Sequence, residues 1–132
     1  MNVVSSIKLV SSLAAAAALA ACAGLPQPFS QVSGQKYFRA PIDTYSVQIV
    51  SIDGRGTLDR LVYVDPGVRQ VTVQGPPDGA HRLGELRSVA LDIAPCTRYY
   101  LVAQKDNRLA SDFSVKVDYQ ESIGGCSTVA SK

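Results

Sequence analysis

The chain predicts an all-β fold, an antiparallel β-sandwich of about seven strands. Three observations predict it. Apolar and polar residues alternate in residues 88–94 and 112–120, the period of a strand with one dry face. Gly, Pro and Asp punctuate the chain at short intervals, as turns between short strands do. No window from residue 36 onward sustains the 3.6-residue period of a helix. A closed barrel is the alternative way to close such a sheet.

The elements follow in order. Residues 36–40 (KYFRA) read as a short first strand, stopped by Pro41, which has no backbone donor. Residues 45–52 (YSVQIVSI) are β-rich, with Val47 and Ile49 on one face and Ser46 and Gln48 on the other. Asp53-Gly54 is then a turn signal. Leu61–Val64 is a second apolar run, broken by Asp65-Pro66-Gly67. Pro presets φ at the first central turn position and Gly supplies positive φ at the next. With residues 68–73 (VRQVTV) returning after it, this stretch reads as a hairpin. Residues 74–86 carry two prolines and three glycines, a long surface loop.

Val89, Leu91 and Ile93 alternate in the next strand, which Pro95-Cys96 ends. Residues 98–105 form another strand, with Asp106-Asn107 as its turn. In residues 112–120, Phe113, Val115, Val117 and Tyr119 share one face, opposite Ser114, Lys116, Asp118 and Gln120.

The start of the chain has a different character. Lys8 is the first charged side chain and Lys36 the next, and residues 9–21 are apolar or small. A cationic start, an apolar middle and small residues before a cut make an export signal. The run is about 13 residues, short of the roughly 20 that span a bilayer. Its end, Leu19-Ala20-Ala21-Cys22, resembles the lipobox of bacterial lipoproteins at each of its positions. The resemblance implies that residues 1–21 are a signal peptide, removed, and that Cys22 takes a diacylglyceryl group, often with a further acyl chain. One chain binds membrane with K of only roughly 10⁴ M⁻¹, and two hold stably. Ala23 and Gly24 follow, not Asp, which by the same resemblance implies the outer membrane, facing the periplasm. The alternative is ordinary secretion, with Ala18-Leu19-Ala20 as the cut site.

Residues 23–35 contain two prolines, two glycines, three glutamines and no charge, the composition of a spacer. The expected organisation is therefore a signal in 1–21, a lipidated cysteine and tether in 22–35, a sandwich in 36–126 and a disordered tail in 127–132. Loss of the signal leaves 111 of the 132 residues, one domain. The formal charge of +2 includes Lys8, so the remainder has no footprint for nucleic acid. With Cys22 taken by lipid, Cys96 and Cys126 are an even pair in an oxidising compartment. A disulfide is expected, two buried thiols being the alternative. Those two cysteines and the single histidine do not reach a tetrahedral metal set, and nothing implies a cofactor.

A second resemblance lies between Val47 and Ala103. The succession Val47-x-Ile49, Ile52-Asp53-Gly54, Tyr63-Val64-x-Pro66-Gly67-x-Arg69-x-Val71-x-Val73, Val89-x-Leu91-x-Ile93-x-Pro95 and Tyr99-Tyr100-Leu101-Val102-Ala103 is similar to the PEGA-type, prealbumin-like modules of small bacterial surface lipoproteins. The chain departs in Asp65 and in its cysteine pair. The resemblance implies an Ig-like or prealbumin-like sandwich and no shared catalytic residue.

Chemistry is sparse. His81 is the sole histidine, in a Pro/Gly loop that holds no partner within proton-transfer reach. Residues 53–59 resemble a calcium loop, but Arg55 stands where an oxygen ligand is required. Arg dominates the basic residues, and Arg with Tyr is enriched at interfaces. Tyr63, Tyr99, Tyr100 and Tyr119 could stack beside them, the plainer reading being half-buried Tyr on strands and solvated Arg. The loop with His81, Arg82 and Arg87 is the expected binding contact. Ser33-Gly34-Gln35-Lys36-Tyr37 resembles a segment of membrane-bound lysozyme inhibitors, without that family's tryptophan. The expected function is a non-enzymatic envelope lipoprotein, held to the membrane through Cys22, that binds or braces an envelope protein or peptidoglycan. An inhibitor of a lytic enzyme is the alternative, and an envelope hydrolase the third.

Overall fold

The computed structural model describes residues 27–79 and 82–128. The expected signal segment, Cys22 and His81 lie outside the described residues, as do residues 23–26, Ala80 and residues 129–132. The fold is all-β: nine strands in two sheets that pack as a sandwich, with no helix among the described residues. The strands are β1 (Ser30–Ser33), β2 (Thr44–Ser46), β3 (Gln48–Ile52), β4 (Arg55–Gly56), β5 (Leu61–Val64), β6 (Gly67–Gln74), β7 (Leu86–Ile93), β8 (Thr97–Gln104) and β9 (Ser114–Ser122).

β8 is the spine of the five-stranded sheet. One of its edges pairs antiparallel with β9. Its other edge takes β1 in parallel at residues 98–100 and β2 antiparallel at residues 102–104. β5 closes the far side of β1. The second sheet has the order β4-β3-β6-β7, with β6 and β7 paired over all eight residues.

The core lies between the sheets. Val32, Val64, Tyr99, Leu101 and Ala103 meet Ile49, Ile52, Val71, Val73 and Ile93, all buried. Burying each such side chain contributes roughly 1.5–3 kcal/mol before ordering entropy is subtracted. The alternation expected for β3 and β7 is present: Val47 and Ile49 are buried while Ser46 and Gln48 are exposed. Asp53-Gly54 is the expected turn, with φ of 49° and 79° joining Ile52 to Arg55. Positive φ at both central residues gives the twist a two-residue hairpin needs.

The structure corrects four sequence expectations. The first concerns the tether. Residues 30–33 are not a spacer but β1, and all four are buried. Their polar groups are satisfied inside: Ser30 Oγ donates to Ala94 O at 2.6 Å, and Gln31 Oε1 accepts from Arg98 Nε at 2.7 Å. Ser127, expected in a loose tail, donates its N–H to Gln27 Oε1 at 3.0 Å. The domain thus extends past both expected boundaries, 36 and 126.

The second concerns residues 36–40, which form no strand and instead cross the outer face of the five-stranded sheet. The third is the Asp65-Pro66-Gly67 hairpin. β5 pairs with β1 and β6 with β3 and β7, so this turn carries the chain from one sheet to the other. Turn residues bend the chain without choosing the strands that pair. In the same way residues 45–52 are two strands, changing sheets at Val47.

The fourth concerns Tyr119. Opposite Tyr100–Leu101 the register slips, so that Tyr119 faces Tyr100 while Val117 faces Leu101. Asp118 is the extra residue of a bulge, which breaks the two-residue period. Tyr119 therefore joins Tyr100 on the outer face, away from Phe113 and Val115.

Candidate binding face

The outer face of the five-stranded sheet is built by register. Tyr63 on β5 stands beside Gln31 on β1, Gln31 beside Arg98 on β8, and Arg98 beside Glu121 on β9. Four polar side chains thus form one row across four strands, about 14 Å at ~4.8 Å per strand. One turn of pleat further on, Ser33, Tyr100 and Tyr119 form a second row.

Three members of the row, Gln31, Arg98 and Glu121, are bonded to one another. Arg98 Nε donates to Gln31 Oε1 at 2.7 Å, and Arg98 Nη1 to Glu121 Oε1 at 3.1 Å. Tyr100 also donates its hydroxyl to Glu121 Oε1, at 2.9 Å. The Tyr100 phenol first, and the Glu121 carboxylate after it, raise the pKa of Arg98 above its ordinary value. The guanidinium is therefore permanently charged and its charge locally balanced. Arg98 and Glu121 side chains each keep 31% of their surface in solvent.

Aromatic rings frame the row. Asp118, the bulge residue, accepts the N–H groups of Tyr37 and Phe38 on one carboxylate oxygen, both at 3.0 Å. That clamp lays residues 36–43 over the face. The Tyr37 ring stacks on Tyr119 at 4.0 Å and 16°, with Tyr100 at 5.0 Å and Phe38 edge-on at 5.0 Å. Tyr119 beside it raises the Tyr37 pKa, with desolvation adding less. At the other end of the row Tyr63 meets Phe29 at 5.6 Å. Six of the chain's nine aromatic residues so gather on one face, and Tyr37, Phe38 and Tyr63 are about half exposed.

A second concavity, a cleft of about 490 Å³ between the Asp53-Gly54 turn and β5, is lined by Asp53, Arg55, Thr57, Tyr63, Asp65 and Arg69 among others. Its charges hold the fold. Arg69 donates to Asp65 O at 3.0 Å, Pro66 O at 2.9 Å and Asp53 Oδ2 at 3.1 Å, while Asp53 Oδ1 accepts Gln70 N–H at 2.8 Å. The Gln70 N–H, then Arg69, lower the Asp53 pKa. The Asp53-Gly54 turn and the Pro66-Gly67 crossing are therefore one stitched unit.

Of the residues expected to bind, Arg82 and Arg87 lie away from this face, and His81 is outside the described residues. Arg82 is exposed in the 75–85 loop, at the opposite end of the sandwich from the disulfide. Arg87 braces the base of that loop, donating to Glu85 at 3.1 Å and to Asp112, with its guanidinium 5.4 Å from the Phe113 ring centre. Cys96 and Cys126 form the disulfide, Cα atoms 5.5 Å apart. Of the Tyr and Arg residues weighed as stacking groups, Tyr63, Tyr100, Tyr119 and Arg98 meet on the face. Tyr99 turns into the core, where its hydroxyl accepts from Ala94 N at 2.9 Å. Gln31, Tyr37 and Phe38 were hidden, since Gln31 lay in the expected tether and the two rings in an expected strand. In the Ser33–Tyr37 motif, Ser33 and Gly34 are buried, Ser33 within the second row, and Tyr37 presents an exposed ring on the face.

No family model matches the chain, and no match is found among curated proteins or solved structures.

Proposed function

We propose that this chain is a non-enzymatic lipoprotein of the bacterial envelope, anchored through Cys22 in the outer membrane and facing the periplasm. Its sandwich binds or braces another envelope component with the outer face of the five-stranded sheet. The observation that carries the reading is the gathering of six aromatic rings around one neutral, hydrogen-bonded polar row. Large exposed aromatic patches on a small domain mark interaction surfaces. A general base has to be poised over its substrate, whereas the carboxylates of this face are engaged, Glu121 by Arg98 and Tyr100 and Asp118 by the Tyr37 and Phe38 N–H groups.

The anchor sets an orientation. Four residues lie between Cys22 and Gln27, five steps of chain with a reach of at most about 18 Å. Gln27 and Phe29 lie at the disulfide end, where Cys96 N donates to Phe29 O at 3.0 Å. That end stands nearest the membrane in this reading, and the 75–85 loop points away from it.

Fractionation tests the proposal. The wild-type chain is expected in the outer-membrane pellet and a Cys22→Ala chain outside it. A photo-crosslinker at Tyr63 is expected to trap an envelope component, and one at Arg82 is not. Equal soluble partition of both chains, or equal trapping at both positions, contradicts the reading.

A further inference from the structure

We propose that the outer face of the five-stranded sheet is a saccharide-binding platform, and that its ligand is an extended glycan strand such as the backbone of peptidoglycan. The inference rests on the envelope reading above and names the component held. Three features select this chemistry.

The first is the combination of groups. A pyranose presents apolar C–H faces flanked by hydroxyls, each both donor and acceptor. Exposed rings at both ends of the row, Tyr37 with Phe38 and Tyr63, offer flat apolar surface to the C–H faces. Between them the Arg98 guanidinium and the Glu121 carboxylate, each about a third exposed and held by their mutual bond with buried Gln31 behind Arg98, are planar polar groups suited to paired hydroxyls.

The second is charge. Arg98 is balanced by Glu121 at 3.1 Å, so the row has no excess charge for a phosphate, a lipid headgroup or a nucleic acid. A neutral polyhydroxylated ligand fits it.

The third is the backbone. An extended peptide gains affinity by adding a strand to an open edge. Here β1 is paired on both sides, by β5 and β8, and β8 by β1 with β2 and by β9. These central strands have no main-chain bonds to offer a peptide; the sheet's edges that are unpaired among the described residues, such as the outer sides of β5 and β9, would place an added strand beside the face and not across it. From Tyr63 to Glu121 the row spans about 14 Å, enough for several consecutive rings of a linear glycan.

The test uses the full chain in mild detergent with two probes: insoluble peptidoglycan sacculi in co-sedimentation, and a soluble β-1,4-linked N-acetylglucosamine tetramer in titration. The chain has no tryptophan, so ring stacking is read directly in tyrosine fluorescence. The wild type is expected to bind both, with the tetramer competing against sacculi. Tyr37→Ala, Tyr63→Ala and Arg98→Ala are each expected to weaken binding about tenfold or more, as loss of an anchor does. Tyr63→Phe, which keeps the ring, is expected to stay within about threefold, and Arg82→Ala to match the wild type. Tyr37 and Tyr63 are exposed, so folding of these variants, checked by circular dichroism, is preserved. Failure of the wild type to bind either probe overturns the proposal. So does binding that Tyr37→Ala, Tyr63→Ala and Arg82→Ala leave alike, and so does sacculus retention that the tetramer cannot compete, which marks a stem-peptide or protein partner. Acylated Cys22 without glycan binding overturns this inference alone. Glycan binding by a chain with unmodified Cys22 supports it and removes the anchor.

Discussion

Gly34→Ala is predicted to be among the most damaging single-methyl changes in the chain. Gly34 directly follows β1, where the chain passes beneath the crossing from β2 to β3. Val47 N donates to Gly34 O there at 2.8 Å. A Cβ on Gly34 would stand 2.0 Å from the Val47 carbonyl oxygen and 2.8 Å from its carbon. Both atoms are backbone, so no rotamer change relieves the overlap. Either β1 shifts within its sheet or the crossing opens and breaks the Gly34–Val47 bond. Overpacking costs about 1–3 kcal/mol, and a buried N–H left without a partner about 1–3 kcal/mol more. The sum, about 2–6 kcal/mol, is a large part of a total stability of roughly 5–15 kcal/mol. Thermal unfolding is the assay, at about 4–8 °C per kcal/mol for a domain of this size, so a fall of at least about 8 °C is expected. If residues 30–34 were a solvated tether, the same change would be neutral or stabilising by about 0.4–1 kcal/mol. A melting temperature within about 3 °C of wild type would refute the placement of β1.

Replacing Cys96 and Cys126 by Ser is expected to lower stability by about 3–4 kcal/mol, the effect of opening a loop closed across 30 residues; an unchanged urea midpoint would count against the bridge. Asp53 has a pKa below its ordinary 3.8 in the folded chain. Its contribution is therefore present above pH 3.8 and lost as pH falls through the lowered folded value. The stability gap between wild type and Asp53→Asn should accordingly be constant near neutrality and shrink in acid, and a gap that widens in acid would invert the sign. Tyr37 titrates above its ordinary 10.0 chiefly because of Tyr119. In Tyr119→Phe the highest tyrosine transition seen by ultraviolet titration should move down toward that value, and an unmoved transition would mean the rings do not stack.

Much of the architecture was legible in the chain because apolar alternation survives wherever a strand has one dry face. β7 and the inward side of β6 announce themselves this way, and Asp53-Gly54 is chemically committed to its turn. β1 was not legible, since three of its four buried residues are polar, and two of them, Ser30 and Gln31, are satisfied by partners 64 or more positions away. Hydropathy does not register such a strand. The assignment of strands to sheets was equally hidden. Asp65-Pro66-Gly67 says that the chain turns, while the sheet it turns into depends on how β1 seats between β5 and β8. The binding face was half visible as residue types, Arg beside Tyr. Its assembly depends on the Asp118 bulge, which no local pattern marks and which alone brings Tyr119 to Tyr37 and Tyr100.

The reading as a whole depends on where the chain resides and what its amino end becomes. Intact mass spectrometry of the protein extracted from native outer membranes measures this directly. The expected species begins at Cys22 and carries the mass of a diacylglyceryl group with or without a further acyl chain. A chain of unmodified mass recovered from the soluble periplasmic fraction would contradict the tethered role, whatever the aromatic face proves to hold.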